Sequence, residues 1–174
     1  MLALGEFPTM KWARYDRGML DPAVLKGSYL VAGLDDVQIQ SVASLAELKH
    51  YASGHLLAKI GEAADVMFVV IGGNLTVTTH DGDKLGEIAT GSVVGEIALV
   101  DARPRAANVV CVGPVSVAVF PVDKLRMLMN QNRDMGFLML ANIARVLAAR
   151  LRNADAIIDQ LADGVGDVWT NALG

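Results

Sequence analysis

Val94-Gly95-Glu96-Ile97-Ala98-Leu99, then from five positions on Pro104-Arg105-Ala106-Ala107-Asn108-Val109, is the stretch on which the reading of this chain turns. Gly95 permits close backbone approach, and a short helical turn after it would leave free N–H groups at its start, a seat for an anion. Glu96 accepts hydrogen bonds and donates none at neutral pH, which suits a sugar hydroxyl. Arg105 is a planar, permanently charged donor matched to a phosphate. A carboxylate beside a free anion would repel it, so Glu96 must face a neutral donor of the same ligand. The spacing therefore predicts a pocket for a ribose phosphate.

Outward from this cassette the bulk properties set limits. The chain has 174 residues, enough for one domain with an appendage. Its 53% hydrophobic content supplies a core. A net charge of -4 and a pI near 5.3 argue against a general nucleic-acid or anionic-membrane binder. The lone Cys111 lies in the apolar run Val109-Val110-Cys111-Val112 and reads as a small core residue; one cysteine forms no internal disulfide, which favours a reducing compartment. Met1 to Met10 lacks the basic and apolar regions of a secretion signal. Met135 to Ala149 is interrupted by Asn142 and Arg145 and is too short and polar to span a bilayer. A cytoplasmic protein without membrane contact is expected.

Residues 1–30 are expected to form an N-terminal helical segment of unassigned role, with Asp21-Pro22 starting a helix. Asp35 and Gln38 predict a capping box, followed by a helix over Val37 to Leu48. From Leu56 short β-type runs follow: 66–71, 75–79, 84–88, 109–112 and 115–120. Gly72-Gly73-Asn74, Asp81-Gly82-Asp83, Gly91 and Gly113-Pro114 separate them and read as turns. Many short strands at close spacing predict a small β-roll. After Pro121 the period becomes helical, with a short helix from Val122 to Asn130, a break at residues 131–134, and a long helix over about residues 134–162. Phe137, Leu140, Ala144, Leu147, Leu151, Ala154, Ile158 and Leu161 alternate steps of three and four, a coiled-coil seam. A second stripe holds Met139, Ile143, Val146, Arg150, Asn153 and Ile157. Two stripes call for two partners: the β-roll of the same chain and a second copy, with a homodimer formed through Phe137, Leu140, Ala144, Leu147, Leu151 and Ile158. Packing of both stripes inside one chain is the competing arrangement. Residues 31–162 are expected as one domain and 163–174 as a tail.

Val94-Gly95-Glu96-Ile97-Ala98-Leu99 with Pro104-Arg105-Ala106-Ala107 and Val109 resembles the phosphate-binding cassette of cyclic nucleotide-binding domains, the sensor domains of the catabolite activator family among them. The likeness extends upstream to Tyr51, Gly54, Gly61 and Asp65, and to Val69 through Leu75, read as a hairpin. It implies an α+β, mainly β fold: a jelly-roll-like β-roll, or double-stranded β-helix, with N-terminal helices and a long C-terminal helix. It also implies roles. Arg105 and the Ala106 backbone would hold the cyclic phosphate, and Glu96 the ribose 2′-hydroxyl. Gly95, Ile97 and Ala98 belong to the same cassette, and Val109 would touch the base. Ala106 lacks a hydroxyl that helps guanine-preferring relatives, which favours cyclic AMP over cyclic GMP. The family's C-terminal helix closes over the base, so Arg150 would stack on the purine or bond its edge; the plain alternative is a solvated arginine. Val94 stands where Phe is frequent and Asn108 where Ser or Thr is.

No residues read as a nucleophile with its base, so neither an enzyme nor a cofactor is expected. His50, His55 and His80 share no metal-like spacing, and no metal site is expected. The chain leaves no room after the long helix for a helix-turn-helix, so DNA binding is not expected. The expected function is a stand-alone cyclic nucleotide sensor acting through an unidentified partner protein. The alternative is an interaction module of the same fold with no nucleotide ligand.

Overall fold

The computed structural model describes residues 20–101 and 103–172, with side-chain surroundings up to Asp159; the expected helical segment within residues 1–19 lies outside them. Asp21 caps a 3₁₀ turn at Pro22–Leu25, its carboxylate accepting from the Ala23 N–H. A second 3₁₀ turn spans Tyr29–Val31. The Asp35/Gln38 capping box forms as expected and opens α1, Asp36–Ala43. The helix is shorter than the reading to Leu48, because Glu47–Tyr51 pairs with a later strand as β1. Tertiary pairing overrides the local helical pattern there.

Five strands follow: β2 (Leu56–Ala58), β3 (Val66–Thr78), β4 (Lys84–Ile88), β5 (Val93–Val94) and β6 (Asn108–Pro121). All join one antiparallel sheet in the order β1-β6-β3-β4, with β2 also on β6 and β5 also on β3. Two expected turns are strand interior. Gly72-Gly73-Asn74 lies within β3 and Gly113-Pro114 within β6, so Val69 to Leu75 is no hairpin. The two long strands pair along their lengths and shift register at Val70/Gly72 and Gly72/Asn74, where the roll bends. Gly73, at φ 88°, fits this corner because a Cβ there would stand 2.5 Å from the Pro114 carbonyl oxygen. Asp81-Gly82-Asp83 is the expected turn, linking β3 to β4.

Period-2 alternation splits the sheet between two cores. Met67, Val69, Ala118 and Phe120 pack with Leu25, Leu30, Leu125, Met135, Met139 and Ile143 against the helices. Phe68, Val70, Val117 and Val119 turn into the roll with Leu75, Val94, Val109 and Cys111. This accounts for the nearly continuous apolar character of β3 and β6, each buried on both faces.

After Pro121, α2 covers Val122–Gln131 and α3 covers Arg133–Ala172. Asn132 ends the first and caps the second, its side chain accepting from the Met135 N–H. α3 continues past the expected end near Ala162, through residues assigned to a tail, since Gly164 and Gly166 lower helix propensity without blocking it. The stripe containing Met139 and Ile143 is buried on this chain's own core, while Phe137 is 73% and Leu151 63% exposed. Asn142 fastens α3 to the N-terminal turn: its amide donates to the Ala32 carbonyl at 2.8 Å and accepts from Arg145 at 2.8 Å. Among the described residues no helix is long and apolar enough to cross a membrane.

Candidate functional site

The cassette is the connection from β5 to β6. Gly95 leaves β5 at φ 83°, a left-handed conformation natural to glycine, and Glu96–Leu99 forms a single 3₁₀ turn. A second reason fixes glycine here. A Cβ at this position would lie 1.9 Å from Arg105 Nη1, so the absent side chain is the space the guanidinium fills.

Arg105 is held from several directions. Its backbone pairs with the segment before β3, Arg105 N–H to the Glu62 carbonyl and Gly61 N–H to the Arg105 carbonyl, each at 2.8 Å. One guanidinium nitrogen donates to the Val66 carbonyl, and the group sits over the Phe68 ring at 5.7 Å. Burial pulls its pKa down, while Asp65, Glu96 and Glu62 oppose the shift; an arginine stays charged throughout. The remaining donors are available to an anion.

Glu96 is 3% exposed. Its carboxylate accepts from Nη1 of Arg150, delivered by α3, in an ion pair whose cationic side is 48% exposed. Arg150 is therefore neither a merely solvated arginine nor an unengaged stacking plate. Tyr29 brings the N-terminal turn to the same place. Its hydroxyl is buried with no hydrogen-bond partner; burial first and Glu96 second push its pKa upward, and Arg150 opposes them.

All eight residues singled out from the sequence line one cavity of about 770 Å³: Gly95, Glu96, Ile97 and Ala98 on the turn, Arg105, Ala106 and Val109 leading into β6, and Arg150 on α3. The volume lies within the range of small-molecule pockets, roughly 300–1,000 Å³. Leu85, Ile88, Val77 and Ile157 supply apolar walls. The arrangement lines one cavity with a half-buried cation, a buried carboxylate and apolar side chains. It can hold a small molecule that carries both an anionic group and an apolar part.

Two supporting roles escaped the sequence reading, that of Arg126 and that of Asn108, a residue noted there only as a departure from Ser or Thr. Arg126 of α2 donates to the Ala98 and Leu99 carbonyls and so secures the C-terminal end of the 3₁₀ turn. A basic side chain reaching terminal helical carbonyls is a known capping mode, but no spacing in the chain announces it. Asn108 accepts from the Ile60 N–H at 2.9 Å and donates to the Thr79 carbonyl at 3.0 Å, locking the approach of β6. Among the described residues no group of three or more His, Cys, Asp or Glu side chains could hold a metal ion.

Residues 48–132 match the family model for the cyclic nucleotide-binding domain. Glutaminase 2 of Bradyrhizobium diazoefficiens is 29% identical over 133 residues, covering 76% of this chain and 21% of that protein. The cAMP-dependent protein kinase type II regulatory subunit of Drosophila melanogaster is 31% identical over 94 residues, covering 52% of this chain and 25% of that one. The chain thus spans about a fifth to a quarter of these curated relatives. The crystal structure of the N-terminal domain of a transcriptional regulator from Streptomyces coelicolor A3(2) matches with TM-score 0.63 and 26% identity, covering 72% of this chain and 93% of that one.

Proposed function

Because residues 48–132 of this chain belong to the cyclic nucleotide-binding domain family, we propose that the cavity binds a cyclic nucleotide and that occupancy is passed through α3 to a partner protein. One observation carries the reading: Arg105 Nη1 occupies the place of a Gly95 side chain, within a cavity that also holds the buried Glu96 carboxylate. A charge-assisted donor for phosphate and an acceptor for a ribose hydroxyl then serve one ligand. Val109 and the apolar walls receive the base. Cyclic AMP is favoured over cyclic GMP because Ala106 offers no hydroxyl to the purine. The ligand biases whichever position of α3 buries it better. The face with Phe137, Leu140, Ala144, Leu147, Leu151 and Ile158 forms a homodimer, supported by the 3-4 spacing from Phe137 to Leu151 and by the exposure of Phe137, Leu140, Leu151 and Ile158, while Leu147 is half-buried against this chain's own core.

A second reading, a docking module that takes no nucleotide, is favoured by the ion pair between Arg150 and Glu96, which already engages the carboxylate. Separate titrations of the purified protein with cyclic AMP and cyclic GMP decide between them. Saturable binding at micromolar concentration or tighter, stronger for cyclic AMP, supports the sensor. Binding of neither nucleotide supports the docking module.

A further inference from the structure

We propose that Arg150 and Asp155 form a reciprocal ion pair between two copies of this chain, and that this pair ties nucleotide occupancy of the cavity to pairing of α3. The inference rests on the nucleotide-binding reading above.

The seam fixes a heptad register. Phe137, Ala144, Leu151 and Ile158 are a positions; Leu140, Leu147 and Ala154 are d positions. The column flanking a on one side holds Ile143, Arg150 and Ile157, all directed at the chain's own domain: Ile143 is buried in the core, Arg150 bonds Glu96, and Ile157 lines the cavity. The column flanking d on the other side holds Ala141, Ala148 and Asp155. Asp155 is exposed and has no ion-pair partner among the described residues.

In a parallel, in-register pair of helices, the first column meets the second of the other copy with an offset of about five residues. From Gly136 to Ala162 the charged members of these two columns are Arg150 and Asp155, opposite in sign and five apart. An antiparallel pair would set each column against its own kind and lose the match. The parallel pair therefore places the partner's Asp155 beside Arg150 at the rim of the cavity, twice by symmetry.

The coupling follows from what Arg150 already touches. One of its five donors, on Nη1, is engaged by Glu96, and the side chain is 48% exposed. A ribose hydroxyl that bonds Glu96 competes for that carboxylate. The guanidinium it displaces turns to the partner's Asp155. Nucleotide and dimer each strengthen the other by the same factor, as linkage requires.

Sedimentation equilibrium with and without cyclic AMP tests this on the wild type, Asp155→Ala, Asp155→Arg and the exchange Arg150→Asp/Asp155→Arg, alongside calorimetry with cyclic AMP. Cyclic AMP is expected to tighten the wild-type dimer by about tenfold, within the usual span of coupling between sites. Dimer affinity should fall in the order wild type, Asp155→Ala, Asp155→Arg, by about three- to tenfold per step. Asp155→Arg should keep cyclic AMP binding but lose its effect on the dimer, and the exchange should recover dimerisation. Equal dimer constants for wild type and Asp155→Arg overturn the proposal, as does a wild type that stays monomeric with and without ligand. An exchange that does not fold leaves the order of the other three proteins to decide. A charge-dependent dimer with no binding of cyclic AMP sinks the nucleotide reading and the coupling while supporting the ion pair.

Discussion

Arg150 of α3 donates a hydrogen bond to the buried carboxylate of Glu96, 54 positions earlier in the chain. The long helix is thereby fixed to the cassette by the one acidic group in it. Removing the cation leaves a buried carboxylate without its counter-charge. Arg150→Ala is expected to lower stability by about 1–3 kcal/mol, scaled to a half-exposed partner. Combined with Glu96→Gln, a double-mutant cycle in urea should return a coupling above about 0.5 kcal/mol. Additive single effects would show that the pair contributes nothing.

Gly95→Ala tests the close approach of Arg105. The left-handed backbone alone costs about 1–2 kcal/mol, and the new Cβ drives the guanidinium from its place. Thermal unfolding should drop, and cyclic AMP affinity should fall further than stability accounts for. A variant with wild-type affinity would show that Arg105 does not need that space.

Asn142 is 5% exposed and fastens the Tyr29–Val31 turn to α3. Asn142→Leu leaves the Ala32 carbonyl without its donor, at a cost of about 1–3 kcal/mol. Protection of the Tyr29–Val31 amides from hydrogen exchange should fall selectively. Uniform loss across the β-roll would instead mean that the contact serves global stability.

Burial in the roll pushes the Cys111 thiol pKa up. A group held neutral in the folded state is released to ionise on unfolding, so stability is highest below the unfolded thiol's pKa, about 8.5, and declines as pH rises through it. Iodoacetamide should label the native protein slowly and the urea-unfolded chain at once. Rapid native labelling would place the thiol at the surface.

What was legible in the sequence was local. Gly95, Glu96 and Arg105 announced a cavity because their chemistry and spacing lie within one short stretch, and Asp35 with Gln38 announced its own cap. What was not legible depended on residues meeting from afar. Gly72-Gly73 and Gly113-Pro114 carry turn residues, yet the pairing of β3 with β6 bends them into continuous strands. Arg150 looked anomalous on an apolar stripe, but its partner could not be read from periodicity. Arg126, Asn108 and Asn142 bond main-chain groups 27 to 112 positions away, and such contacts leave no trace in spacing or hydropathy.

Calorimetric titration of cyclic AMP into the wild type and Arg105→Ala tests the central claim most directly. The account predicts micromolar or tighter binding to the wild type and a loss of about 10- to 100-fold in the variant, the equivalent of a charge-assisted contact of about 1.5–3 kcal/mol. Equal affinity in the two proteins would contradict it.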